Sequence, residues 1–157
     1  MSELTLRNRQ RVRALNLRFF RKITQSLLQE RLGENGYEIS VHIVAASEMA
    51  KLNQRYLHHA GSTDVITFGY SELESAGPIL GDIFISIDDA VRQAREFRTS
   101  WQEELLRYFV HGILHLQGYD DSQVARRRVM KREENRIVQQ LKERLQLGKL
   151  RRASVDR

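Results

Sequence analysis

The sequence predicts an α+β fold: a single domain in which one mixed β-sheet packs against helices, with a metal site on a central helix. Three observations predict it. Short runs of alternating β-branched and polar residues interleave with longer runs at helical spacing, joined by short connections. The 157 residues hold one proline and no repeat, low-complexity tract or Pro/Gly/Ser linker that would divide them. Cysteine is absent, and a chain of this size buries roughly two thirds of its unfolded surface, enough to hold a core without disulfides.

Leu4 and Leu6 alternate with polar neighbours, which marks a short first strand before Arg9. Helical spacing then runs from Val12 through Leu15, Phe19, Ile23 and Leu27 until Gly33 and Gly36 end it. Ile39 to Ala45 is β-branched and alternating, and Ser47 is placed to cap a helix over 47–57. Two further strands are expected at Val65 to Phe68 and Ile79 to Ile87, separated by a polar loop holding Gly77 and Pro78. Asp88 or Asp89 then caps a helix over 90–97. Ser100 and Glu103 have the spacing of a capping box, opening a helix that stops at Gly118. A last helix from about Ser122 to Leu147 buries Met130, Ile137, Leu141 and Leu145 and exposes Arg126, Arg127, Arg128, Lys131 and Arg132. The domain so defined covers residues 1–147, and residues 148–157, which show no periodicity, read as a basic disordered tail.

The net charge of +6 conceals a division along the chain. Residues 1–31 carry eight basic and two acidic side chains, residues 126–157 twelve and four, and the stretch between them six and fourteen. Basic ends around an acidic middle suit a protein that gathers a polyanion at its edges and keeps carboxylates for a cation near its centre. Solvated surface helices are the alternative source of such a pattern. No run approaches the ~18 apolar residues needed to cross a bilayer, and residues 1–10 lack an apolar core with a cleavage site, so no membrane association and a cytoplasmic location are expected.

The chemistry concentrates between His111 and Asp121. Two histidines four apart on a helix lie about 40° apart around it and roughly 6 Å along it, so both imidazoles leave one face and can share one ion. Gly118 lets the backbone turn sharply afterwards and brings Asp121 back toward that face, where a carboxylate completes a three-ligand site with a position left for water. His111, His115, Gly118 and Asp121 follow the spacing of the metzincin motif. That protease chemistry needs Glu directly after the first His as general base, and Gly112 stands there, which argues against it. Asp120 competes with Asp121 for the third ligand position, and Asp121 has the alternative role of capping the last helix. Glu104, nearly two turns before His111, is either an acceptor that orients a ligand or a solvated first-turn glutamate. Asp64 and Asp82 are further carboxylates that a metal cleft can use, although a turn cap and a hairpin closure explain them better.

The segment HGILHLQGYD, the preceding EELLRYFV, and the upstream blocks LNQRYLHHAGSTDVITF and LGDIFISIDDAVRQA together resemble the YbeY family of bacterial ribosomal RNA maturation factors. The resemblance implies an α+β fold with a zinc site, single-strand-specific endoribonuclease activity, and a role in maturing the 3′ end of small-subunit ribosomal RNA and in ribosome quality control. Its implied partners are single-stranded or ribosomal RNA, the small ribosomal subunit, one of its proteins and a ribosome-associated GTPase. By position it assigns His111 and His115 as two metal ligands. The chain departs from the family pattern at Asp121, where the third ligand is usually His, at Leu57, where Arg is usual, and at Ala60 and Ser62, where Asp and Pro are usual. Two functions are therefore weighed: a zinc-dependent endoribonuclease with His111, His115 and Asp121 around the ion, and a ribosome-assembly factor that binds RNA without cutting it and keeps the metal as a structural element.

Overall fold

A computed structural model of the chain describes residues 2–70 and 77–153. Four strands, β1 (Ser2–Asn8), β2 (Tyr37–Val44), β3 (Val65–Gly69) and β4 (Ile79–Ser86), form one sheet in the order β1-β2-β4-β3. β1, β2 and β4 are parallel, and β3 runs antiparallel to β4 at the edge, so the sheet is mixed as expected. Five α-helices accompany it among the described residues: α1 (Leu17–Leu32), α2 (Ala46–Leu52), α3 (Ile87–Phe97), α4 (Trp101–Leu116) and α5 (Val124–Arg144). No helix among them is long and apolar enough to cross a membrane.

Period-two alternation sends Leu4, Leu6, Ile39, Val41, Ile43, Ile83 and Ile85 into the core shared with the helices. Against this layer lies α4, whose Leu105, Leu106, Phe109, Val110, Ile113 and Leu114 are all buried. A helix apolar around most of its surface is one enclosed by neighbours. Phe109 meets Phe20 of α1 edge to face, with ring centroids 6.0 Å apart, and burying each such ring stabilises the fold by roughly 1.5–3 kcal/mol. α5 adds Met130, Ile137 and Val138 to the same core. A smaller cluster of Val44, Met49 and Ile66 forms where α2 meets the sheet.

α4 approaches β4 unusually closely at Gly112. A Cβ there would lie 2.9 Å from Cγ2 and 3.0 Å from Cδ1 of the fully buried Ile83, so only glycine lets the helix sit this near the strand. Ser100 caps α4 as the sequence predicts, accepting from the Glu103 N–H at 3.1 Å.

Several boundaries differ from expectation because side chains remote in sequence do the capping. α1 starts at Leu17, with Asn16 accepting from the Phe19 N–H, because the buried Gln10 stitches Val12 and Arg13 into a turn first. Ala45, not Ser47, precedes α2, whose Ala46 N–H donates to Asp88 at 2.5 Å. α3 is capped by Ser86 and not by Asp88 or Asp89. Asp82 lies inside β4 and closes no hairpin. Residues 71–76 of the loop expected before Gly77 fall outside the described residues.

The expectation of a disordered tail from 148 onward is corrected over residues 148–152. Leu147–Leu150 forms a 3-10 turn, Leu150 is fully buried, and Arg151 bridges Leu15 while the Arg152 N–H donates to Ala14 at 2.7 Å. One apolar side chain with no helical repeat around it carried no periodic signal, yet it plugs the core beneath α1. Leu150→Ala is expected to cost about 2–5 kcal/mol, read as a lowered midpoint in denaturant unfolding. Residues 154–157 lie outside the described residues.

Candidate metal centre

His111 and His115 leave the one side of α4 that is not packed, each a little over a quarter exposed at the side chain. Their Nε2 atoms stand 3.1 Å apart. After α4, Gly118 adopts φ 98°, and N–H bonds from Gly118 to His115 and from Tyr119 to Leu114 close the turn. The turn carries Asp121 back, so that its Oδ2 lies 3.8 Å from His111 Nε2 and 3.4 Å from His115 Nε2. The three donor atoms fall within 4.8 Å of one another. Ligand atoms around a tetrahedral zinc with ~2.0–2.1 Å bonds are about 3.3–3.5 Å apart, so the residues fit a mononuclear site.

The tautomer supports that fit. His111 Nδ1 lies 2.8 Å from Glu134 Oε1 of α5 and donates to it, which leaves Nε2 as a lone pair aimed at His115 and Asp121. Glu134 is buried, and its Oε2 accepts from Arg107 at 2.8 Å and from Lys131 at 2.9 Å. Burial alone would push its carboxyl up, but the hydrogen bonds from His111, Lys131 and Arg107 outweigh this and hold it down at about 2. A permanently ionised acceptor behind His111 makes that imidazole a stronger ligand.

The turn gives the two neighbouring aspartates different surroundings. Asp120 accepts from the Ser122 N–H at 2.8 Å and hydroxyl at 2.7 Å and pairs with Arg126, bonds that lower its pKa, the Ser122 amide foremost. Asp121, half exposed at its side chain, is the one that turns to the histidines, and it does not cap α5, which follows Gln123. Asp121→Ala is expected to weaken metal binding at least tenfold, while Asp120→Ala leaves it within about twofold; titration against a chelating dye reads both.

Glu104 takes neither role expected of it: it is buried and accepts from the Thr99 hydroxyl at 2.7 Å. The residue that orients His111 is Glu134, which the sequence reading missed. Its signal was a carboxylate four residues after Met130 and three before Ile137, inside the apolar stripe of α5.

Two cavities, of about 710 and 560 Å³, flank the cluster and share Asp64, Val65, His111 and Asp121 as lining. Asp64 therefore faces the cleft, with one oxygen accepting from the Val65 N–H. Asp82 sits on the opposite face of the sheet, bonded by the Tyr70 hydroxyl at 2.7 Å, a bond that pushes the phenol up to about 12. Leu57 also lines the cleft, at the end of a π-helical turn (Asn53–Leu57). The following loop is tied down by Asn53, which donates to Gly61 O at 2.9 Å, and by Ser62, which donates to Asp89 at 2.6 Å. Ser62 thus anchors this loop to α3 through a hydrogen bond.

A mixed sheet, a buried helix and three convergent donors define an α+β protein with a candidate mononuclear metal centre. The profile of the Endoribonuclease YbeY family matches residues 5–142, and the chain belongs to that family. It is 41% identical over 107 residues to an endoribonuclease YbeY of Anaeromyxobacter sp. (strain Fw109-5), covering 68% of this chain and 56% of that protein. It is 39% identical over 109 residues to one of Parabacteroides distasonis, covering 69% and 75%, and 47% identical over 89 residues to one of Aquifex aeolicus, covering 57% and 59%. The chain thus spans little more than half the length of the first and third of these relatives. The solution structure of TM1509 from Thermotoga maritima shares the fold, with a TM-score of 0.61 at 24% identity over 88% of this chain and 89% of that one.

Proposed function

We propose that this chain is a zinc-dependent endoribonuclease that cuts single-stranded RNA, acting on ribosomal RNA near the 3′ end of the small-subunit transcript and so in ribosome maturation and quality control. The observation that carries the reading is the convergence of His111, His115 and Asp121 within 4.8 Å on the floor of a cleft. Family membership and the activity in the printed names of the relatives support RNA as the substrate.

Zinc bound there would lower the pKa of a water molecule toward neutrality and offset charge growing on the scissile phosphate. The chain's own residues do the rest. Glu134 keeps His111 in the tautomer that binds. Exposed Arg126, Arg128 and Arg132 of α5 draw the RNA backbone toward the cleft by counterion release, so affinity falls steeply with salt. Contact with the small ribosomal subunit, one of its proteins and a ribosome-associated GTPase, and a cytoplasmic location, belong to the same proposal.

The test is metal analysis of protein purified without chelator, paired with cleavage of single- and double-stranded ribosomal RNA fragments. Stoichiometric zinc with chelator-sensitive cutting of the single strand is the expected result. Leu57 favours a second reading, because it puts a neutral side chain in the cleft where the family usually has a cation: a non-cleaving assembly factor whose metal is structural. Stoichiometric zinc with intact RNA, and subunit binding that survives His115→Ala, would select it.

A further inference from the structure

The larger cavity lies between α3, α4 and α5 and reaches the metal cluster through His111 and Asp121. Val65, Tyr108, Met130 and Phe97 are the apolar part of its lining, Phe97 being 62% exposed and in no core cluster, and carboxylates, Asp64, Glu103 and Glu104 among them, stand beside these. The cations at its rim are already committed. Arg107 and Lys131 donate to Glu134, and the Arg127 Nε–H donates to the Asp121 carbonyl. The cavity is therefore a poor phosphate site. What it offers besides these charges is an exposed aromatic ring and two carboxamides. Asn135 gives its oxygen to Arg107 and Gln93 gives its oxygen to the Tyr108 hydroxyl, which leaves the amide N–H groups of both to face a ligand, that of Gln93 held only by a 3.5 Å contact to Asp64. An exposed aromatic ring with amide donors in the same cavity matches a heterocycle that presents a π-face and carbonyl or ring-nitrogen acceptors.

We propose that this cavity is a nucleobase subsite that takes a base of a single-stranded RNA next to the phosphate at the metal, with Phe97 as its stacking surface and Asn135 and Gln93 reading the base edge. The inference rests on the RNA-cleaving reading above. It makes this pocket the source of any preference for particular bases around the cut.

Isotope-labelled full-length protein, metal-free and zinc-loaded, is titrated with the four nucleoside 5′-monophosphates and with ribose 5-phosphate as the base-free control, followed by amide chemical shifts. The nucleotides are expected to bind the metal-free chain roughly tenfold tighter than ribose 5-phosphate and to shift the Phe97 and Asn135 signals. That margin is expected to vanish in Phe97→Ala and to persist in Phe97→Tyr, which keeps a ring and controls for folding. Equal binding of nucleotides and ribose 5-phosphate, no binding of either, or a margin that survives Phe97→Ala would overturn the proposal. The two readings separate cleanly. RNA cut without a base margin removes the subsite and keeps the nuclease, whereas a base margin with RNA left intact by the zinc-loaded chain removes the nuclease and keeps a nucleotide pocket.

Discussion

On the proposed reading, His115→Ala is expected to lose stoichiometric zinc and, with it, cleavage of single-stranded RNA. Its Nε2 lies between the other two donors, 3.1 Å from His111 Nε2 and 3.4 Å from Asp121 Oδ2, so its removal leaves two ligands on one side of an open cleft. Loss of a residue that merely supports a ligand costs about 10–100-fold in metal affinity, and loss of the ligand itself should exceed the upper end of that range. The fold should survive, because the side chain is partly exposed and the neighbouring Leu114 and Leu116 keep the helix seated. Elemental analysis and gel-based cleavage check the loss, and circular dichroism checks the fold. Zinc retained at one ion per chain would show that the cluster is not the site.

Glu134→Gln should have the second largest effect, and on two observables at once. The amide oxygen can still accept from His111, but the charge that balances Arg107 and Lys131 is gone, and these two stay clustered around a buried neutral group. Breaking a buried ion pair from one side costs about 3–5 kcal/mol; because Arg107 retains some exposure, about 3 kcal/mol is expected, read in thermal unfolding of the metal-free protein. Zinc affinity should fall about 10–100-fold. Glu133→Gln is the control: its partly buried carboxylate pairs with Arg136 and Arg31 and makes no bond to His111, so its loss should lower stability and leave zinc binding unchanged. A substitution at 134 that changed stability alone would make the residue a strut and not a positioning group.

Local signals in the sequence predicted what local physics decides. The Ser100–Glu103 spacing placed the start of α4, the left-handed Gly118 placed its end, and the interval between His111, His115 and Asp121 sufficed to bring three donors together. What escaped depends on partners far along the chain. Asp88 caps α2, forty-two residues earlier in sequence, while Ser86 takes the cap beside it. Glu134 is marked out only by the packing of α5 on α4, which turns it inward toward His111. Whether Asp64 or Asp82 faced the cleft could not be read from either residue: Asp64 stands just before β3 and lines both cavities, whereas Asp82 lies inside β4, cross-strand from Phe68 and bonded by Tyr70. Leu150 was invisible for a different reason, since a single plug residue has no period.

Gly112 limits what descendants of this chain can become. A side chain beside His111 makes Ile83 give way in the middle of the sheet, so installing the glutamate on which peptide-cutting helices of the same His spacing depend carries a cost in central packing that a lone Gly112→Glu change does not offset.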